Sequence, residues 1–289
     1  MPRRKAPSSR PSRPRHRDTA DPVSEAAPRC PDGLVGLAGR VADAARAVAR
    51  RHFRQGLAIE DKADESPVTR ADREAETAMR AIIAAAHPDH GIHGEEHGIE
   101  NPDAEFVWVL DPIDGTKRFI TGNPLFGSLV ALLQGGRPML GIIDMPILEE
   151  RWTGAAGWPT TFADRSSVRE ARVRPCAELA AATVLSTAPE MFQGADGDGF
   201  QRLRRAAKLT LYGGDCFNYG LLASGFADIV VEADLAPYDY LAHAAILAGA
   251  GGVMTDWQGR PPGLDSDGRV LCAGDRRCHD LAISLLQGA

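Results

Sequence analysis

An apolar run at residues 106–110 stops at Asp111-Pro112-Ile113-Asp114-Gly115-Thr116. Five consecutive apolar residues ending in turn formers predict a buried strand. The end of that strand is chemically distinctive, because it carries two carboxylates three positions apart. Pro112 fixes its own φ and Gly115 permits a left-handed turn, so both carboxylates are set at a strand terminus with little further loss of entropy. Carboxylate oxygens converging in this way suit hard divalent cations. Glu95, in Gly94-Glu95-Glu96 just upstream, offers another oxygen. Asp-Pro and Asp-Gly pairs taken singly are ordinary turns; the combination with a buried strand and upstream glutamates fits metal-assisted hydrolysis of a phosphate ester.

Length and charge frame this motif. The 289 residues are enough for one large domain or two packed ones. Net charge is −6, yet residues 1–20 hold Arg3, Arg4, Lys5, Arg10, Arg13, Arg15 and Arg17 against Asp18 alone, so the rest of the chain is more acidic than the total. An acidic body suits a carboxylate site that takes up cations before it accepts phosphate. The Pro/Arg/Ser-rich tail, residues 1–31, is expected to be disordered and dispensable. Its prolines argue against a targeting helix, and no apolar signal core follows. No apolar run reaches the ~20 residues of a membrane span. The five cysteines (Cys30, Cys176, Cys216, Cys272, Cys278) are scattered and lack a zinc spacing, so reduced thiols in a cytoplasmic protein are expected.

Beyond the tail, helical spacing of Leu34, Leu37, Ala38, Val41, Ala45, Val48 and His52 predicts a first helix. A turn at residues 66–69 precedes a second helix with Ala75, Met79, Ile82 and Ile83 on its apolar face. Runs at 126–133 and 139–143 read as a hairpin, with more strand near 150–161. From about residue 175 the pattern becomes alternating: strands at 183–186, 209–212, 229–232, 252–255 and 270–273, helices at 200–208, 217–224, 240–250 and 275–286. The division expected is a tail (1–31), an N-terminal α+β subdomain with the metal motif (32–174) and a C-terminal α/β subdomain (175–289). His87, His90, His93 and His97 invite a zinc site, but Pro88, Gly91, Gly94 and Gly98 break any helix there, and a loop delivering Glu95 is the better expectation.

D-P-I-D-G-T after a hydrophobic strand, with G-E-E upstream, resembles the signature of the inositol monophosphatase family of Mg²⁺-dependent phosphatases. The likeness runs from about Leu34 to the C-terminus. It implies an α/β (α+β) chain folded as a layered αβαβα sandwich of the inositol monophosphatase/fructose-bisphosphatase type, with the site where the two halves meet. It also implies two or three Mg²⁺ ions, a homodimer and no covalent enzyme intermediate. Carried over residue by residue, the implied metal ligands are Glu95, Asp111, Asp114, Asp239 and the Ile113 carbonyl. Glu95, Thr116 and Asp72 are the implied catalytic groups, with Thr116 orienting the attacking water and Glu96 in support. Lys62 and Asp72 resemble the family's early Lys/Asp pair, although a solvated lysine and a helix-start aspartate are the plain alternatives. Asp239 falls in Pro237-Tyr238-Asp239, which matches the late W-D motif with tyrosine in place of tryptophan; alone it would read as a helix cap.

The same resemblance implies that Gly115, Thr116, Gly213, Gly214, Asp215, Glu232 and Asp239 hold a small phosphate ester. Inositol phosphatases typically have a small residue where Asp215 stands. A second carboxylate near Glu232 would favour a cationic alcohol such as histidinol, and K-R-F-I-T-G-N-P-L-F-G and Y-G-G-D-C-F-N-Y-G look like the histidinol-phosphatase branch. A turn aspartate after two glycines is the alternative for Asp215; Asn218 would help shape the pocket. The rival activities are inositol-1-phosphate phosphatase and then 3′(2′),5′-bisphosphate nucleotidase, for which no basic cluster is evident. A non-enzymatic partner of RNA or the transcription machinery would rest on the basic tail alone. Neither a membrane nor a nucleic acid is an expected partner.

Overall fold

At Gly141 and Gly154 a helix backbone rests directly on a sheet. The computed structural model describes residues 29–55, 59–61 and 67–288. Most of the basic tail and Lys62 fall outside these residues. Arg29 and Cys30 are already packed: the Arg29 guanidinium lies over the Trp158 ring at 4.0 Å, and the Cys30 N–H donates to the Ala156 carbonyl at 2.9 Å.

In the N-terminal half, α1 (Asp32–His52) and α2 (Arg70–Ala86) flank a small antiparallel pair, β1 (Ile59–Asp61) and β2 (Pro67–Thr69). The expected turn at 66–69 is thus largely a strand. Pro67 sits at its first position, one of the few strand sites that tolerates a missing N–H. An eight-stranded sheet follows, built from β3 (Gly91–Gly94), β4 (Gly98–Glu100), β5 (Phe106–Asp114), β6 (Gly127–Gln134), β7 (Arg137–Met145), β8 (Glu150–Ala155), β9 (Thr161–Ala163) and β10 (Val168–Glu170). A short helix, α3 (Thr116–Ile120), follows β5. The order is β10-β9-β8-β7-β6-β5-β3-β4, and β3–β5 is its one parallel pair among the described residues. The predicted hairpin is β6–β7. The predicted loop around Glu95 is the turn of a second, shorter hairpin, β3–β4, in which Gly94 pairs with Gly98.

The C-terminal half has a five-stranded sheet in the order β12-β11-β13-β15-β14, made of β11 (Thr183–Ser186), β12 (Leu209–Tyr212), β13 (Ile229–Glu232), β14 (Val253–Thr255) and β15 (Val270–Ala273). Its helices are α4 (Gly194–Ala206), α5 (Cys216–Ala223), α6 (Pro237–Ala250) and α7 (Arg276–Gln287).

Three apolar clusters stack these elements. Val41, Ala45 and Met79 of α1 and α2 pack on Leu110, Val130 and Leu132. The opposite sheet face, Leu129, Ala131 and Ile143, packs on Tyr219, Leu241 and Ile246 of α5 and α6, which also meet Val230 and Cys272 of the second sheet. Phe200 and Leu203 of α4 and Ala282 and Leu286 of α7 cover the far face through Val231 and Leu271. Alternate residues of β6 therefore serve two apolar layers, which is why the strand reads as a continuous hydrophobic run. The result is the αβαβα sandwich. At its centre a Cβ on Gly141 would overlap the Ala242 carbonyl, and one on Gly154 would overlap the Ile246 backbone, so α6 lies flush on β7 and β8. Asp144, fully buried on β7, accepts from Arg46 of α1 and Arg151 of β8 and ties three elements together.

Candidate metal and phosphate site

The last turn of β5 is shaped by its own sequence. The Ile113 N–H donates to Asp111 Oδ1 at 3.0 Å, the Thr116 hydroxyl donates to the Ile113 carbonyl at 3.2 Å, and the Ser128 hydroxyl of β6 donates to the Pro112 carbonyl at 2.7 Å. The ladder to β6 slips between Asp111 and Asp114, so the chain leaves the sheet at the motif. Gly115, at φ 83°, then turns the backbone into α3. A side chain at that φ would be strained.

The other half of the molecule closes on this turn. The first amide of α5, the Cys216 N–H, donates to Asp114 Oδ2 at 2.7 Å. Asp239 stands in the first turn of α6, its Oδ2 accepting from the Ala236 N–H at 2.7 Å; it closes the helix start from inside the first turn. Carboxylate oxygens of Asp111, Asp114 and Asp239 all lie within 4.8 Å of one another. The N-termini of α5 and α6 both open toward the same centre, and their amides favour negative charge there.

Burial pushes the Asp111 carboxyl well above its ordinary pKa, and the charges of Glu95, Asp114, Asp239 and Asp72 push it further. Asp114 is pushed up chiefly by burial and then by Asp215, against the pull of the Cys216 amide. Converging buried carboxylates repel one another unless a cation joins them. The donors are hard oxygens, and the one nearby thiol, Cys216, is held protonated by burial and by Asp114. The set fits a hard divalent cation such as Mg²⁺. The charges of Glu95 and Asp72 also act on Asp111, and the Ile113 carbonyl, two positions further on, accepts from the Thr116 hydroxyl.

A cavity of about 730 Å³ opens at these carboxylates and is lined by Glu95, Asp114, Gly115, Thr116, Asp215, Glu232 and Asp239 from the predicted set. Asp111 and Ile113 are buried under it. Gly213 and Gly214 are not lining residues. Their φ values of 92° and 114° shape the turn before Asp215, and a Cβ would meet the Arg118 guanidinium at 2.7 Å or Asn218 Oδ1 at 2.5 Å. Asp215 departs from expectation in one respect: it has a cation of its own. Arg118 Nε on α3 donates to its Oδ2 at 2.6 Å, so the carboxylate reaches the cavity as half of an ion pair. Burial raises the Asp215 pKa, and Arg118 opposes the rise.

Several residues of the site escape sequence reasoning. Glu76, fully buried on α2, accepts from the Glu96 N–H at 2.7 Å and the His97 N–H at 3.1 Å, and so fixes the β3–β4 turn that carries Glu95. Arg80 one turn later donates to Glu76 at 2.7 Å and also to the Gly98 carbonyl. The available signal was a Glu/Arg pair at i,i+4 on an apolar helix face, which reads more easily as a surface ion pair. Tyr219 also lines the cavity; so does Thr187, whose strand-end place in Ser186-Thr187-Ala188-Pro189 hints at a position near the pocket without distinguishing it from ordinary strand-end threonines. The four histidines do not converge. His97 bonds Thr77 and the Arg73 carbonyl, and His93 meets Tyr238 edge-on at 6.2 Å. His87, Asp89 and His90 bring ligand atoms within 4.8 Å of one another, but the two rings stack at 4.2 Å and 8°, so an in-plane ion cannot serve both, and His90 Nδ1 accepts from Trp108. All five cysteines are free thiols. Among the described residues no helix is long and apolar enough to cross a membrane.

Known proteins resemble this chain in sequence and in fold. Residues 34–289 match the sequence profile of the Inositol monophosphatase family. The chain is 43% identical over 265 residues to the Bifunctional phosphatase IMPL2, chloroplastic, of Arabidopsis thaliana, covering 89% of this chain and 75% of that one. It is 38% identical over 219 residues to a Histidinol-phosphatase of Chlorobaculum parvum, covering 75% and 83%. A solved inositol monophosphatase from Zymomonas mobilis superimposes with a TM-score of 0.80 at 46% identity, covering 89% of this chain and 98% of that one. The chain belongs to the inositol monophosphatase family.

Proposed function

We propose that this member of a metal-dependent phosphatase family is a Mg²⁺-dependent phosphomonoesterase that hydrolyses L-histidinol phosphate to L-histidinol and phosphate. The observation that carries the substrate choice is the acidic lining of the cavity. Besides Asp114 and Asp239, the lining carries Glu232, Asp234 and Asp215, so an alcohol bearing an ammonium meets negative charge where a polyol would meet hydroxyl partners. Relatives named histidinol-phosphatase support the same reading.

When bound, Mg²⁺ supplies a Lewis acid that makes water a better nucleophile at neutral pH and offsets charge on the phosphoryl oxygens. The chain's own part is positioning. Asp111, Asp114 and Asp239, with Glu95 and the Ile113 carbonyl, would hold two or three ions. The Thr116 hydroxyl donates its proton to the Ile113 carbonyl, so toward the cavity it can only accept, and with Glu95 it would orient a water for in-line attack. Backbone amides at the start of α3 receive the phosphate. Asp72 adds to the negative field around Asp111 from the first turn of α2.

The second reading, an inositol-1-phosphate phosphatase, is favoured by the Arg118–Asp215 pair, which offsets the charge on one acid of the wall. Steady-state kinetics with Mg²⁺ separates the two. The expected result is a kcat/KM for L-histidinol phosphate at least about tenfold above those for inositol 1-phosphate and 3′-phosphoadenosine 5′-phosphate, the scale of one well-placed charge contact. Equal or higher efficiency with inositol 1-phosphate would reject histidinol phosphate as the preferred substrate and leave the family assignment intact.

A further inference from the structure

Among the acids lining the cavity, Glu232 is the least exposed, at 3%. Both of its oxygens are engaged by other elements. Oε1 accepts from the Thr187 N–H at 3.0 Å and from the Thr187 hydroxyl at 2.5 Å; Oε2 accepts from the Tyr219 hydroxyl at 2.7 Å. Tyr219 is itself held: it is buried on α5, and its ring stacks on His243 of α6 at 3.8 Å and 18°.

We propose that Tyr219 is a specificity-determining positioning residue, whose hydroxyl keeps Glu232 aimed into the cavity as an anion and so sets the preference for an ammonium-bearing alcohol over a neutral one. This deepens the histidinol-phosphate reading and rests on it. Three donors to one carboxylate favour its charged form, while burial opposes it. The outcome is a Glu232 carboxyl raised mainly by burial to about 7, so its charge is poised in the neutral range. The surrounding groups add to the same balance. Asp215, ahead of α5, raises it further and is itself paired with Arg118 of α3. Cys272 on β15 is held as a thiol by burial and by Glu232, and burial holds His243 neutral. Asp239 at the start of α6 and Asp234 just after β13 complete the acidic wall. Losing the Tyr219 hydroxyl removes one of the three donors. A carboxyl whose pKa rises is neutral over more of the physiological range, so the variant loses its anion at pH 7 and recovers it at higher pH.

Tyr219→Phe keeps the ring and its stack and deletes the hydroxyl. Its kcat/KM for L-histidinol phosphate and for inositol 1-phosphate is to be measured with Mg²⁺ from about pH 6 to about pH 9, with circular dichroism to establish the fold. The ratio of the two efficiencies is expected to fall roughly tenfold at pH 7, the scale of one hydrogen bond to a charged acceptor, with the loss in KM. The rise of that ratio with pH should move upward by about one pH unit. Thr187→Val, which deletes another hydroxyl donor, should move it in the same direction and decides the matter if Tyr219→Phe does not fold. If the wild type prefers histidinol phosphate and the folded variants keep its ratio at every pH, the role of Tyr219 is overturned and the substrate reading stands. If the wild type shows no such preference, the substrate reading fails and this inference fails with it.

Discussion

Asp114→Asn is expected to lower kcat/KM with Mg²⁺ by on the order of 10³-fold or more, about 4 kcal/mol of transition-state stabilisation, while the protein stays folded. The amide can still accept from the Cys216 N–H, so the bond between the two halves survives; what goes is the negative charge that a cation needs. Stability should respond in the opposite direction to activity. Burial and Asp215 raise the Asp114 carboxyl in the folded chain, so between the ordinary carboxylate range and that raised value the folded state holds the proton more tightly than the unfolded one. Metal-free wild type therefore loses stability as pH rises through that window. The variant, with no carboxyl at that position, should lose less. Melting curves of metal-free protein at acidic and neutral pH, together with initial rates, test both halves. Near-normal turnover in the variant would remove Asp114 from the metal centre.

Gly141→Ala should be among the most damaging small substitutions in the chain. The new methyl falls on the Ala242 carbonyl, which is helix backbone and cannot rotate away. An overpacked contact of this kind costs about 3 kcal/mol, or roughly 6–12 °C in Tm for a domain of this size. The effect should reach the site as well, because α6 carries Asp239: what chain remains folded should need more Mg²⁺ for half-maximal activity. Gly36→Ala is the matched control. Gly36 lies within α1 with open space around its Cβ position, so alanine there should be neutral or stabilising by up to about 1 kcal/mol. Equal melting temperatures for Gly141→Ala and wild type would contradict the close approach of α6 to the sheet.

What the sequence reveals and what it hides divide along a physical line. The 111–116 turn is legible because its chemistry is local: a proline, a glycine and two acids specify the bend, the left-handed residue and the ligands within six positions. The alternation of strands and helices beyond residue 175 is legible for the same reason. Asp239 is different. Nothing in Pro237-Tyr238-Asp239 distinguishes a metal ligand from a helix-start acid, and it reaches the cluster only because two glycines let α6 settle on the sheet; family resemblance supplied what periodicity lacked. Asp215 shows the converse. Its position on the cavity wall follows from the resemblance, but its partner, Arg118, lies 97 residues earlier, and only the fold brings them together. Glu76 was invisible because the amides it holds lie 20 and 21 residues away. α4 begins at Gly194, earlier than the predicted 200, and its first turns hold Gly194, Gly197 and Gly199, which have low helix propensity; a Cβ at Gly199 would meet the Leu286 backbone of α7.

The most direct test of the metal centre is anomalous diffraction from crystals grown with Mn²⁺, which favours the same oxygen ligands as Mg²⁺ and scatters strongly enough to be located. The expected result is one or more manganese peaks at roughly 2.1 Å from carboxylate oxygens of Asp111, Asp114 and Asp239, with Glu95 and the Ile113 carbonyl completing the shell. A well-ordered crystal in saturating Mn²⁺ with no peak between these residues, or with its peak at His87 and His90 instead, would contradict the account.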